Sequence, residues 1–100
     1  RFNLGQLPYF TLWKNTTAEA DGYTTGMEPA TNFPNQRSFE TEYNRVITIP
    51  PGGNYKMDLT LEIHTTPEAV AQREAAIAKL QATAPAKVMR QPIPQWCSPS

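Results

Sequence analysis

The sequence predicts a mainly β chain of antiparallel strands, followed by one helix and an extended tail. Three observations carry this. From Tyr55 to His64 the residues alternate, with Tyr55, Met57, Leu59, Leu61 and Ile63 on one side and Lys56, Asp58, Thr60, Glu62 and His64 on the other. An unbroken period of two is the pattern of a half-buried, antiparallel strand. The aromatic and β-branched run Tyr9-Phe10-Thr11-Leu12-Trp13 marks an earlier strand. Thr66-Pro67-Glu68 has the chemistry of a helix start, with an N-cap hydroxyl, a proline at the first helical position and an acid in the first turn.

The elements follow in order. The first strand lies within Leu7–Asn15, with Tyr9, Thr11 and Trp13 expected on one face and Phe10, Leu12 and Lys14 on the other. A polar connection closes on the turn pair Asp21-Gly22. A short strand is expected from Tyr23 to about Glu28, because Pro29 cannot donate to a ladder. Residues 29–42 read as a long irregular loop, of a kind that is often functional or mobile in compact domains. Tyr43–Ile49 reads as a strand and Pro50-Pro51-Gly52-Gly53 as a turn, so that residues 43–64 form an expected hairpin. The helix is expected over residues 67–82, with Val70, Ile77 and Leu80 as a thin apolar stripe. Residues 83–100 hold four prolines without periodicity and read as an extended Pro-rich tail anchored by Trp96.

Composition narrows the function classes. At 100 residues the chain is one domain at most, with a modest core. Nine basic residues balance nine acidic ones, which argues against nucleic acid or an anionic membrane as partner. The 18% of charged residues lies below the usual ~25%, unlike a highly charged disordered chain. No apolar run approaches the roughly 20 residues that cross a bilayer. A single cysteine, Cys97, excludes an intrachain disulfide, and the absence of a disulfide pair or signal-type core points to the cytoplasm. The chain opens on Arg1, which reads as a processed chain or a piece of a longer one.

No phosphate-binding glycine loop, nucleophile elbow or zinc-protease motif is present, and a lone His and a lone Cys make no metal cluster. No metal or cofactor is expected. His64 falls on the polar side of its strand, where a solvated histidine is the plainer reading. Asn15-Thr16-Thr17 is a glycosylation sequon, which matters only in a secreted eukaryotic protein.

The informative segment is Gly26-Met27-Glu28-Pro29-Ala30-Thr31-Asn32-Phe33-Pro34-Asn35. It places a carboxylate at a strand end, next to a glycine that keeps the backbone approachable and before a proline-stiffened loop. Alone, such a glutamate is more simply a surface residue.

The run GMEPATNFPNQR, followed by VITIPPGGNYKMDLTLEIH, resembles the C-terminal part of the aldose 1-epimerase (galactose mutarotase) superfamily. The upstream LPYFTLWKN and the helix are similar to an uncharacterised bacterial branch of it, and the likeness spans roughly residues 4–82. The resemblance implies that residues 1–82 are the last portion of a large antiparallel β-sandwich. It implies that Glu28, at the matching strand-to-loop position, is the general base of a sugar-anomer epimerase. The family's acid is a histidine on an earlier strand, and His64 does not match it. A cofactor-free exchange of protons suits this chemistry, because one base and one acid open and reclose the sugar ring.

Substrate candidates follow. Trp13 and Phe33 are aromatic platforms for the apolar face of a sugar, although core packing is the plainer role for Trp13. Asn32 and Arg37 are hydrogen-bonding candidates, with loop-stabilising contacts the equal alternative. The expected partners are an aldose and either the missing N-terminal part of a parent chain or a second copy, through open strand edges. Lacking the acid, the segment alone is expected to be inactive. A non-catalytic carbohydrate-binding module and a purely structural fragment are the alternatives.

Overall fold

A computed structural model describes residues 1–98. The chain divides into two compact units, one of Arg1–Thr60 with the segment from Ile93 onward, the other of Leu61–Pro92. What is established is a small mixed fold, with one two-stranded antiparallel sheet and one main helix.

In the first unit β1 (Tyr9–Lys14) pairs antiparallel with β2 (Thr25–Ala30), Tyr9 opposite Ala30 and Lys14 opposite Thr25. Tyr9, Thr11 and Trp13 therefore share one face with Ala30, Glu28 and Gly26, while Phe10, Leu12 and Lys14 share the other with Pro29, Met27 and Thr25. The connection carries a 3₁₀ turn at Glu19–Asp21 that ends on Gly22 at φ 85°, a left-handed conformation open to glycine.

β2 runs through Pro29 instead of stopping before it. The reason lies in the ladder. The Asn15 amide donates to the Thr24 carbonyl at 3.2 Å, directly opposite in register, which makes that a hydrogen-bonded pair. Alternation then makes Trp13–Gly26, Thr11–Glu28 and Tyr9–Ala30 hydrogen-bonded pairs and leaves Phe10–Pro29 a non-hydrogen-bonded one. The missing N–H of Pro29 falls on the outer edge of β2, where it costs the ladder nothing.

The expected hairpin of residues 43–64 does not form. Residues 29–42 are not wholly irregular, because Arg37–Glu42 forms a short helix, α1. Asn44, at φ 55°, turns the chain back at its end, and the Arg45 amide donates to the Glu40 carbonyl at 2.9 Å. This wrap takes up the start of the expected Tyr43–Ile49 strand. The turn itself is present: the Gly53 amide donates to the Pro50 carbonyl at 2.9 Å, with Gly52 at φ 72°. Beyond it, residues 55–60 clasp the N-terminal segment instead of residues 43–49. Phe2 bridges Leu59, and Thr60 and Arg1 exchange bonds of 2.9 and 2.6 Å. The Tyr55 hydroxyl donates to the Gln6 carbonyl at 2.5 Å, and the Gln6 side chain both donates to Asp58 Oδ2 and accepts from the Asp58 amide, each at 2.9 Å. The Gln6 bond, and then Lys56, hold the Asp58 carboxyl below its ordinary pKa.

Past the half-buried Tyr55 the apolar side of the alternating segment is exposed: Met57 is 54% exposed and Leu59 64%. Among the described residues Leu7 is the one buried apolar side chain, and the one buried charged residue is Glu40. In the second unit α2 (Pro67–Thr83) starts as expected, with the Thr66 hydroxyl accepting from the Ala69 amide and Pro67 in the first turn. Glu62 joins the segment before the helix to its second turn through Arg73 at 2.7 Å and lies 3.5 Å from His64. Among the described residues no helix is long and apolar enough to cross a membrane.

Candidate functional site

The register of β1 against β2 sets Trp13 opposite Gly26, with Glu28 two residues further along the same face. Gly26 has no side chain, and the Glu28 carboxylate folds into the space this leaves. A Cβ at position 26 would lie 2.5 Å from Glu28 Oε1 and 3.3 Å from the Trp13 Cβ. The carboxylate is thereby laid beside Trp13, whose side chain is 51% exposed and not in a core. Glu28 itself is exposed. A proton acceptor and an indole thus share one accessible face, an arrangement suited to a polyhydroxylated ring stacked on the aromatic plane.

This geometry makes a prediction. Gly26→Ala pushes the Glu28 carboxylate away, an easy displacement for the far end of a flexible side chain, and leaves the hairpin in place. The Trp13 ring and Glu28 carboxyl resonances are expected to move, while the cross-strand amide pattern persists. An unchanged Trp13 environment would show that the carboxylate does not rest over residue 26.

The other sequence candidates are placed differently. Asn32 donates from its amide to the Phe33 carbonyl at 2.7 Å and accepts from the Thr31 hydroxyl at 3.2 Å, so it shapes the loop after β2. Arg37 is exposed at the start of α1, where its carbonyl accepts from the Thr41 hydroxyl. Among the described residues neither makes a hydrogen bond or ion pair with Glu28 or joins an aromatic contact with Trp13. Phe33 stands in an aromatic group, its ring centroid 4.4 Å from Tyr9 and 5.3 Å from Trp96, with the Arg45 guanidinium 5.2 Å away.

Behind Phe33 lies a polar cluster that sequence reasoning missed. Glu40 is fully buried and accepts from Arg45 Nε at 2.6 Å and from Arg45 Nη2 at 2.9 Å, a bidentate pair. The same carboxylate accepts from Asn35 Nδ2 at 2.6 Å and from the Phe33 amide at 3.2 Å. Bonds from Arg45, Asn35 and Phe33 outweigh the burial penalty and hold the Glu40 carboxyl down at about 2, below its ordinary 4.5. Arg45 is raised in turn, chiefly by the bond to Glu40, and its guanidinium also lies over Phe39 and Tyr43. The cluster anchors the loop that follows Glu28. Its spacing, Asn35, Glu40 and Arg45, carries no sequence signature, since a glutamate on a six-residue helix reads as solvated.

Asn35 also fastens the C-terminal segment. Its amide donates to the Trp96 carbonyl at 3.0 Å and its carbonyl oxygen accepts from the Ser98 amide at 3.0 Å. Asn35→Ala removes both bonds, so the Ser98 amide is expected to exchange faster and Trp96 to become more open to iodide quenching, read in a Trp13→Phe background. Unaltered exchange at Ser98 would show that Asn35 does not hold this segment. Among the described residues no group of His, Cys, Asp and Glu is arranged to hold a metal ion.

A family model described as a domain of unknown function, DUF4432, matches residues 1–63, and the chain belongs to that family. No curated protein and no solved structure matches the chain.

Proposed function

We propose that this member of the DUF4432 family supplies the glutamate base of an aldose 1-epimerase-like isomerase, with its β1–β2 hairpin forming part of a larger antiparallel β-sandwich. The observation that carries the proposal is the Glu28 carboxylate folded over Gly26 beside the exposed Trp13. The resemblance of the Gly26–Arg37 segment to the mutarotase superfamily supports the same assignment. In this reading a sugar ring stacks on Trp13 and Glu28 takes the proton of the anomeric hydroxyl. An acid from outside this chain protonates the ring oxygen as the bond between it and the anomeric carbon breaks. Rotation about the neighbouring C–C bond and reversal of both proton transfers give the other anomer. Asn32 and Arg37 are assigned to sugar hydroxyls or a charged substituent, and Phe33 supports the loop that carries them.

The test is polarimetry of freshly dissolved α-glucose and α-galactose with the longest polypeptide that carries this sequence, beside its Glu28→Gln variant. Acceleration that disappears in the variant supports the assignment. Sugar binding without acceleration in either protein would leave the hairpin as a carbohydrate-binding surface and overturn the catalytic role.

A further inference from the structure

Residues 93–98 lie beyond residues 1–63, the part that the family model matches, yet they pack into the first unit. The loop that receives them, residues 33–35 with Glu40 and Arg45 behind it, lies inside that part. This seat is shaped for a peptide backbone. Asn35 Nδ2 carries two hydrogens. One goes to Glu40 Oε1 at 2.6 Å and the other to the Trp96 carbonyl at 3.0 Å, while Asn35 Oδ1 accepts from the Ser98 amide at 3.0 Å. An ionised carboxylate only accepts, so the buried Glu40 fixes which end of the carboxamide is the donor. The other end must then face a donor. One side chain, oriented from behind, thus bonds the C=O of one residue and the N–H of the second residue after it, groups that belong to the backbone and not to the side chains.

The side chains supply selectivity. Pro94 sits at the second position of a turn closed by the Trp96 amide on the Ile93 carbonyl at 2.8 Å, a position that its fixed φ favours. The turn sets the Trp96 ring 5.3 Å from that of Phe33. Phe33 is braced by Tyr9 at 4.4 Å and by its own amide on Glu40 at 3.2 Å, contacts in which the segment takes no part. The receiving ring and carboxamide are therefore held in place from the far side.

We propose that Phe33 and Asn35 form a peptide-recognition site for a Pro-x-Trp turn followed by two residues, and that residues 93–98 of this chain are its resident, releasable occupant. Release uncovers the Phe33 ring and the Asn35 carboxamide together. Residues 84–92, which join this segment to α2, form neither helix nor strand, so release and return break no secondary structure there. The site stands independently of the role given to Glu28.

The probe is a peptide of residues 91–98 carrying Cys97→Ser, labelled at its N-terminus and followed by fluorescence anisotropy against the longest polypeptide that carries this sequence. A tethered segment competes at an effective concentration on the order of millimolar, so about 100 µM peptide is expected to leave the wild type almost unbound. Trp96→Ala removes the anchor of the resident segment, and this variant is expected to bind the added peptide at least about tenfold more tightly than wild type, the scale of a lost aromatic anchor. Asn35→Ala in that background is expected to abolish the gain. Glu40 keeps its bonds from Arg45 and the Phe33 amide there, and the cross-strand amide pattern of β1 and β2 reports that each protein is folded. A peptide N-methylated at the residue matching Ser98 keeps every side chain and lacks the donor that Asn35 bonds, so it is expected to bind about tenfold more weakly. Equal binding to wild type and Trp96→Ala, or an N-methylated peptide that binds as well as its parent, would overturn the proposal. So would the absence of binding to Trp96→Ala at about 1 mM peptide, the range in which the tethered segment itself competes.

Discussion

Glu40→Ala is expected to lower the thermal midpoint of the protein by roughly 10 °C or more, the scale set by removing one partner of a buried ion pair from a small domain. The substitution takes three bonds from Arg45 and Asn35 and one from the Phe33 amide, and strands the Arg45 guanidinium among rings. Arg45→Met is expected to cost at least as much, because it leaves an acceptor-only carboxylate in the fully buried position of Glu40. A double variant, Glu40→Leu with Arg45→Met, removes both charges and should recover part of the loss. The pair also sets an acid response. The Glu40 carboxyl is held at about 2 when folded, against an ordinary 4.5. Between these values the unfolded chain binds a proton that the folded chain does not, so stability rises with pH. The contribution is complete above about 4.5, fades as pH falls and is gone once pH drops through about 2. Wild-type protein therefore carries a steeper acid slope than Glu40→Gln, in which the smaller contribution of Asp58 persists. Equal midpoints and equal slopes in the two proteins would show that the pair is not closed in solution.

Glu28→Gln is expected to abolish most of any anomer interconversion, a loss of about 10²–10⁴-fold for one general base. The change is confined to chemistry. Glutamine keeps the length and shape of the side chain and loses its proton-accepting character, and Glu28 is exposed, so the fold has little reason to respond. Thermal midpoints of the variant and wild type should agree within a few degrees. Trp13→Ala provides the complementary signature, since loss of the stacking surface weakens sugar binding before it touches the proton transfer. An active Glu28→Gln protein, or one that loses activity only because it unfolds, would remove Glu28 from the reaction.

Local chemistry made the first strand, the glycine-proline turn and the helix legible. Tyr9–Trp13, Pro50–Gly53 and Thr66–Glu68 each carry their own conformational preference, and each forms where its residues place it. The closeness of Glu28 to Trp13 was half legible: alternation assigns each to a face, while their meeting depends on a register that only the pairing of two strands supplies. The second strand and the loop after it differ from their sequence expectation for one reason, that the cost of a residue depends on where its backbone points. Pro29 is harmless because its nitrogen faces outward. Asn44 in a left-handed turn, and Glu40 behind it, convert an expected loop and strand into a helix and its wrap.

Residues 55–64 show the limit of periodicity most clearly. Alternation states that one side of a segment is apolar, but a strand exists only when another backbone lies alongside it. Here that neighbour is the N-terminal segment, through Phe2 and Leu59, and not the residues before the turn. The sequence by itself determined the charge balance, the two strands of the hairpin in outline, the helix and its cap, and the placing of Glu28 in the second strand, though not at its end, which lies at Ala30, because these rest on neighbours a few positions apart. The register that brings Glu28 to Trp13, the burial of Glu40 on Arg45 and the fastening of Trp96 to Asn35 join residues across folded chain, and were decided only by tertiary structure, where desolvation and hydrogen-bond geometry select among pairings that sequence spacing leaves equal.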